Sequence, residues 1–173
     1  MLDWFEDEAR GAERREVWVL EGDEPRIEEL LRRGYARDEG PFFIRLARTL
    51  EDLSRPKPTA SYVIRPMTGA IDVPRRVDVQ FLYLLARRRE SHGEFEPVGT
   101  HPEHERRGLA TAVCLGGLWA LKQAGADTAI VHARCDSAYP APLKPYTTLG
   151  FEPVGRMHRY VGALGRLSAP TDG

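Results

Sequence analysis

The chain is short of cysteine, of long apolar runs and of any excess of charge. Two cysteines in 173 residues, Cys114 and Cys135, make neither a disulfide framework nor a zinc ligand set. They read as buried free thiols of a cytoplasmic protein, and no metal centre is expected. No run approaches the roughly 20 apolar residues of a membrane span. The opening MLDWFEDEARGAERRE is acidic and mixed, which does not suit a signal peptide. Lys and Arg number 25 against 26 Asp and Glu, and the arginines are dispersed, so the footprint of a nucleic-acid binder is missing. Neither G-x-G-x-x-G nor G-x-x-x-x-G-K-[S/T] occurs, which weakens a nucleotide-binding reading of the usual kinds. What is there is 42% hydrophobic and 29% charged, an ordinary globular composition. The length suits one full domain with a sizeable core, or one domain plus a fragment.

Residues 1–15 read as a polar lead-in. EVWVLEG (Glu16–Gly22) is β-branched and aromatic and predicts a strand. Asp23 as a capping side chain, with Pro25 behind it, starts a helix that carries Ile27, Leu30 and Leu31 and stops at Gly34. GPFFIRLA (Gly40–Ala47) predicts a strand, SRPKPTA (Ser54–Ala60) a linker, and SYVIRPM (Ser61–Met67) a further strand. DVQFLYLLARRRE is dense enough in apolar residues to be strand or helix, and is read here as helix.

Beyond it the pattern sharpens. Glu94–Thr100 predicts a strand. Gly108–Ala124 predicts a helix with Leu109, Ala112, Val113, Gly116, Trp119 and Ala120 on its apolar stripe, ended by Gly125. Asp127–Cys135 reads as a strand buried on both faces, YTTLGF (Tyr146–Phe151) as the end of a short helix, Arg156–Gly162 as a last strand, and the tail after it as disordered. Trp18, Trp119, Phe42 and Phe43 are expected in the core. An internal repeat runs through the chain: VWVLEGD…LLRRGY…FFIRLA matches AIVHARCD…YTTLGF…HRYVGA, each strand, Asp, helix, Gly-aromatic, strand.

The most informative stretch is EFEPVGTHPEHERRGLATAVCLGG, Glu94 to Gly117, where a strand passes through a charged turn into a helix. A helix N-terminus has unpaired N–H groups and about half an elementary positive charge, and a Gly there lets a ligand approach the backbone. Phosphate is the natural occupant. Arg106 and Arg107 add charge whose fork geometry matches phosphate.

The turn VGTHPEHERRGLA, Val98 to Ala110, followed downstream by YTTLGF, resembles the GCN5-related N-acetyltransferase (GNAT) superfamily. That family has V-x-P-x-x-R/Q-x-x-G-x-G/A opening a helix, and later Y-x-x-x-G-F. Gly108 and Ala110 match the G-x-G/A; Thr100 stands where Val is usual, and Glu105 where Gln or Arg is usual. The resemblance covers about residues 61 to 162, and the repeat suggests the tandem form, of the mycothiol synthase type. It implies an α/β (α+β) fold with a mixed, mostly antiparallel central sheet flanked by helices. The domains would be a strand-helix-strand remnant of a first half (1–53), a linker (54–60), an acyl-CoA-binding domain (61–165) and a tail (166–173). Only 28 residues separate Arg65 from Glu94, too few for the two helices and two strands the family places there, so the N-terminal half of that domain is shortened.

The resemblance further implies transfer of an acetyl or acyl group from acetyl-CoA (coenzyme A) to a primary amine of a small molecule or protein. Val98, Gly99, Thr100, Glu105, Arg106, Arg107, Gly108, Leu109 and Ala110 would form the coenzyme turn. An amine must lose its proton to attack, so a general base is needed. Glu96, which shares a strand face with Glu94, is the candidate, with His101 and His104 as alternatives. A backbone N–H of Val98–Thr100 would meet the developing oxyanion, and Tyr146 would serve the leaving thiolate, with Tyr139 as a weaker substitute. The competing reading is a shortened, non-catalytic relative that binds coenzyme A or serves as a protein-interaction module. A strand edge left by the missing segment would favour a homodimer.

Overall fold

The computed structural model describes residues 14–56, 62–65, 80–87, 91–135 and 143–163, with the backbone alone for 14, 80–87, 95–100 and 163. The predicted lead-in, most of the linker, Tyr139 and the tail lie outside these residues. Seven strands form one sheet: β1 (Arg14–Leu20), β2 (Tyr35–Arg37), β3 (Phe42–Thr49), β4 (Gln80–Arg87), β5 (His92–Thr100), β6 (Thr128–Cys135) and β7 (Glu152–Ala163). Among the described residues three α-helices accompany it: α1 (Glu24–Arg32), α2 (Leu109–Gln123) and α3 (Leu143–Thr148). The spatial order is β1-β7-β3-β6-β5-β4, with β2 also beside β7, and β5–β6 is the one parallel pair. This is the mixed, mostly antiparallel sheet that the sequence implied.

The two repeats are joined by exchange. β1, the first strand of the earlier repeat, pairs with the last strand of the later one, from Arg14↔Ala163 to Leu20↔Met157. β6, the first strand of the later repeat, pairs with the last strand of the earlier one, from Phe42↔Cys135 to Thr49↔Thr128. The long β7 serves both, its first half beside β3 and its second beside β2. A chain segment from the first fifty residues therefore sits mid-sheet, between β6 and β7.

Two cores follow from strand alternation. Leu46, Cys114, Leu118, Leu121, Val131, Ala133, Leu149 and Phe151 are buried together beneath α2 and α3. Val19, Leu30, Tyr35 and Tyr160 form a second cluster under α1. Ile44 packs on the first core and lies opposite Arg156; two residues along β7, His158 lies opposite Val19 of the second. Both cores are thus on one face of the sheet. The other face carries Trp18, Phe43, Arg45 and His132, and no described helix packs on it. Among the described residues, no helix is long and apolar enough to cross a membrane.

Several elements differ from the sequence reading. Gln80–Arg87 is a strand, not a helix: it lies antiparallel to β5 along its whole length, and its Phe, Tyr and Leu suit a pleated surface as well as a helix. Tyr62–Arg65 is not a strand; it crosses α2 so closely that a Cβ on Gly116 would stand 3.0 Å from Ile64. The short β2 went unpredicted. Asp23 makes no side-chain cap bond, its carboxylate lying 3.6 Å from Arg26 instead. On α2 the buried stripe is Leu109, Ala112, Cys114, Gly117, Leu118 and Leu121, while Ala120 is exposed and Val113, Gly116 and Trp119 are half-buried. The helix is apolar nearly all round, so periodicity could not choose its inner face. On β6, His132 is half-buried and Arg134 exposed, so that strand is not apolar on both sides.

The four aromatics expected in the core are all half-buried. Trp18 meets Phe43 edge to face, Arg156 sits 5.3 Å over Phe42, and Trp119 donates through Nε1 to the Ser54 carbonyl at 2.9 Å.

Candidate active site

Strands β5 and β6 run parallel from His92↔Thr128 to Phe95↔Val131 and then part. Past that point each is held only by its outer neighbour: β5 by β4 as far as Thr100↔Gln80, β6 by β3 as far as Cys135↔Phe42. A wedge opens between them toward their C-terminal ends. Among the described residues, the edge of β5 that faces it, from Glu96 to Thr100, has no ladder partner. The register of β5 against β4 also slips between Glu96 and Val98, leaving Pro97 as a bulge. Proline has no N–H to give to a ladder, which suits it to such a place.

The turn that leaves β5 opens at the mouth of this wedge. His101 begins a single 3₁₀ turn, Pro102–His104, its Nδ1 accepting from the Glu103 N–H at 3.3 Å. Arg106 and Gly108 both take positive φ, 58° and 74°. For a non-Gly residue that conformation costs of order 1 kcal/mol or more, and such strain gathers at ligand sites. Gly108 caps α2 without a side chain, and a Cβ placed on it would meet nothing within 4 Å. The first N–H groups of α2, at Leu109, Ala110 and Thr111, have no acceptor within the helix.

The charges around it are only partly committed. Arg107 donates to the Tyr62 hydroxyl at 2.8 Å and to the Glu103 carbonyl at 3.1 Å. The Tyr62 hydroxyl also lies 3.1 Å from His104 Nδ1. Arg106 is exposed, and so is Glu105. Of the two arginines, Arg106 is the one left to swing onto an anion. Among the described residues, His101, Glu103 and His104 bring one ligand atom each to within 4.8 Å of one another, close enough to hold a small cation. The sequence reading had not singled them out for that role.

Tyr146 stands on α3, against the core beneath α2, its ring 5.9 Å from that of Phe151. Burial, with Cys114 nearby, pushes its hydroxyl up to about 12, so it keeps its proton throughout the neutral range. Gly150 takes positive φ, which lets α3 stop and Phe151 turn inward. Glu96 is the first β5 residue past the parallel ladder, level with His132 of β6; its side chain lies outside the described residues. Val98, Gly99 and Thr100 form the end of β5, opposite Leu82, Phe81 and Gln80.

No protein-family model and no curated protein matches this sequence. Solved structures do resemble it. A GCN5-related N-acetyltransferase from Kribbella flavida is similar over 96% of this chain and 77% of its own, at 17% identity and a TM-score of 0.68. One from Sphaerobacter thermophilus is similar over 94% of this chain at 14% identity and a TM-score of 0.63. A tandem GNAT protein from the clavulanic acid biosynthesis pathway is similar over 90% at 11% identity and a TM-score of 0.55. The chain spans about 65% of the length of each of the last two.

Proposed function

The chain has the GCN5-related N-acetyltransferase fold, and from that premise we propose that it is an N-acyltransferase carrying an acetyl or acyl group from acetyl-CoA to a primary amine. The observation that supports this most is the parting of β5 from β6 with the uncapped start of α2 at its mouth. The donor set fits the group: the first N–H groups of α2, Leu109 to Thr111, which have no acceptor within the helix, and the exposed Arg106 suit a diphosphate. The free edge of β5 suits an extended, amide-bearing arm, which could add to it as a strand would.

Acetyl-CoA supplies the acyl group as a thioester; everything else falls to the chain. The amides of β5 past the bulge would polarise the acyl carbonyl as negative charge develops on it. Glu96, on the wedge edge, would take up the amine's proton directly or through a water. The hydroxyl of Tyr146 would meet the departing sulfur. A phenol held near 12 is a weaker acid than a thiol, so its contribution is a hydrogen bond to the thiolate rather than full transfer of the proton. The acceptor is an amine of a small molecule or a protein. β1 and β4 end the described sheet, and a homodimer joined along one of these edges belongs to the same reading.

The test is a thermal shift with acetyl-CoA followed by a thiol-release assay over spermidine, an aminoglycoside, free amino acids and a lysine peptide. Stabilisation with turnover of one class supports the proposal. Binding without turnover on any of them would point to a coenzyme-binding or protein-interaction module. Absence of binding removes both readings.

A further inference from the structure

His132 occupies the first position of β6 past the parallel ladder, level with Glu96 across the wedge. Its Nε2 is closed off from solvent and has no hydrogen-bond partner. A buried ring nitrogen left in that state costs free energy, and an orphan of this kind calls for a role. Alternation settles which face it is on. Ala129, Val131 and Ala133 enter the core beneath α2 and α3, so His132 belongs to the opposite face, as does Ile130. Glu94 is the ladder partner of Ile130 and Arg45 that of His132, so both lie beside it on that face. Tyr146 packs on the core of the helix-bearing face, so the two groups lie on opposite faces of the sheet.

We propose that His132 is the proton acceptor for the attacking amine, in place of Glu96 or through a water shared with it. This rests on the transferase reading above. The acceptor nitrogen forms its bond to the acyl carbon while the carbon–sulfur bond breaks; one N–H proton passes to His132 Nε2, and the sulfur leaves as thiolate beside the Tyr146 hydroxyl. The imidazolium then returns its proton to the thiolate, so no other reactant is needed. Attack on a thioester carbon comes from one side of its plane, and the two-sided placement of His132 and Tyr146 matches that requirement.

The surroundings keep the imidazole ready. Burial lowers its pKa below the usual 6.5; Glu94 on β5 raises it, and Arg45 on β3 lowers it further. On its own strand the next residue of that face is Arg134, which is exposed, and on β5 His92 lies 3.8 Å from Glu94. The balance is a neutral ring at pH 7, the form a base must have.

The experiment is kinetic and spectroscopic, on the full chain. With an amine identified from the panel, His132→Gln should bind acetyl-CoA in calorimetry as the wild type does. Its turnover should fall on the order of 100- to 10,000-fold, and the acid limb of the kcat/KM profile should disappear. In ¹⁵N-histidine spectra of the wild type, the His132 ring should titrate with a midpoint below 6.5, a measurement that stands even if the variant does not fold. Wild-type turnover with an unchanged rate and profile in His132→Gln overturns the role of His132 and leaves the transferase in place. A midpoint above 7 overturns it too. A wild type that turns over no amine overturns both.

Discussion

Trp18 of β1 and Phe43 of β3 meet edge to face, ring centroids 4.5 Å apart at 79°, although β7 lies between their strands. The pair clamps the last strand of the later repeat between two strands of the earlier one. Trp18→Ala should lower the unfolding free energy by about 2 kcal/mol, less than the 3–5 of a fully buried aromatic because both rings are half-buried. Removing residues 1–53 should do much more. It takes β3 from between β6 and β7, and the remaining chain should lose its cooperative urea transition. A sharp transition in the shortened chain would show that the later part folds alone.

Gly93 is a second place where the packing of the core can be tested. It is buried on β5, and a Cβ there would collide with the side chain of Leu121 on α2. Gly93→Ala should destabilise by about 1–3 kcal/mol through overpacking. Leu121→Ala alone should cost more, about 2–5 kcal/mol, because it opens a cavity in the core. Combined, the two should cost less than their sum, since the smaller residue makes room for the new methyl. Chemical denaturation of the three variants checks this.

At the turn, Gly108→Glu should abolish acetyl-CoA binding in calorimetry, by placing a carboxylate where an anion is expected and by forcing a side chain into positive φ. Gly108→Asn separates the two effects, because Asn tolerates that backbone region. It should keep measurable affinity. Equal loss in both would mean that the open space beside Gly108, and not relief from charge or backbone strain, is what binding needs.

Tyr146→Phe should lower turnover on the order of 10- to 100-fold with acetyl-CoA affinity nearly unchanged, since the ring's packing against Phe151 survives. Because the hydroxyl is pushed up to about 12, it ionises only above the assay range, so the wild-type rate should show no basic limb from it up to about pH 10. A rate unaltered by the substitution would remove Tyr146 from the mechanism.

The pH dependence of stability has a worked sign. Burial holds His158 below its usual pKa, with Arg37 lowering it further. The unfolded chain therefore binds a proton near pH 6.5 that the folded chain still refuses. Stability from this site is complete above 6.5 and is lost as pH falls below it toward the folded value. The melting temperature should drop over that window, and His158→Gln should flatten the drop.

Much of this was legible in order along the chain. Gly108 before an Ala- and Leu-rich run announced a helix start, and Gly150 before Phe151 announced a helix end, because positive φ and missing Cβ atoms are local facts. The repeat, too, could be read from residues alone. Other features were not local. Gln80–Arg87 has apolar residues on every side, so only its pairing with β5 makes it a strand. The inner face of α2 was chosen by Gly93 and Leu121, residues from different elements. His132 looked like one polar position in an apolar strand, and nothing near it in sequence says that the ladder ends one residue before it.

The residues alone determined where the chain turns, where its helices begin and end, and that two halves echo each other, since backbone conformation and side-chain pattern act over a few residues. Which strands neighbour one another, that β3 lies between β6 and β7, and that β5 and β6 part with Glu96 and His132 facing across the wedge were decided only in three dimensions. Hydrogen-bond ladders join whatever edges the packed core brings together, however distant in sequence those edges are.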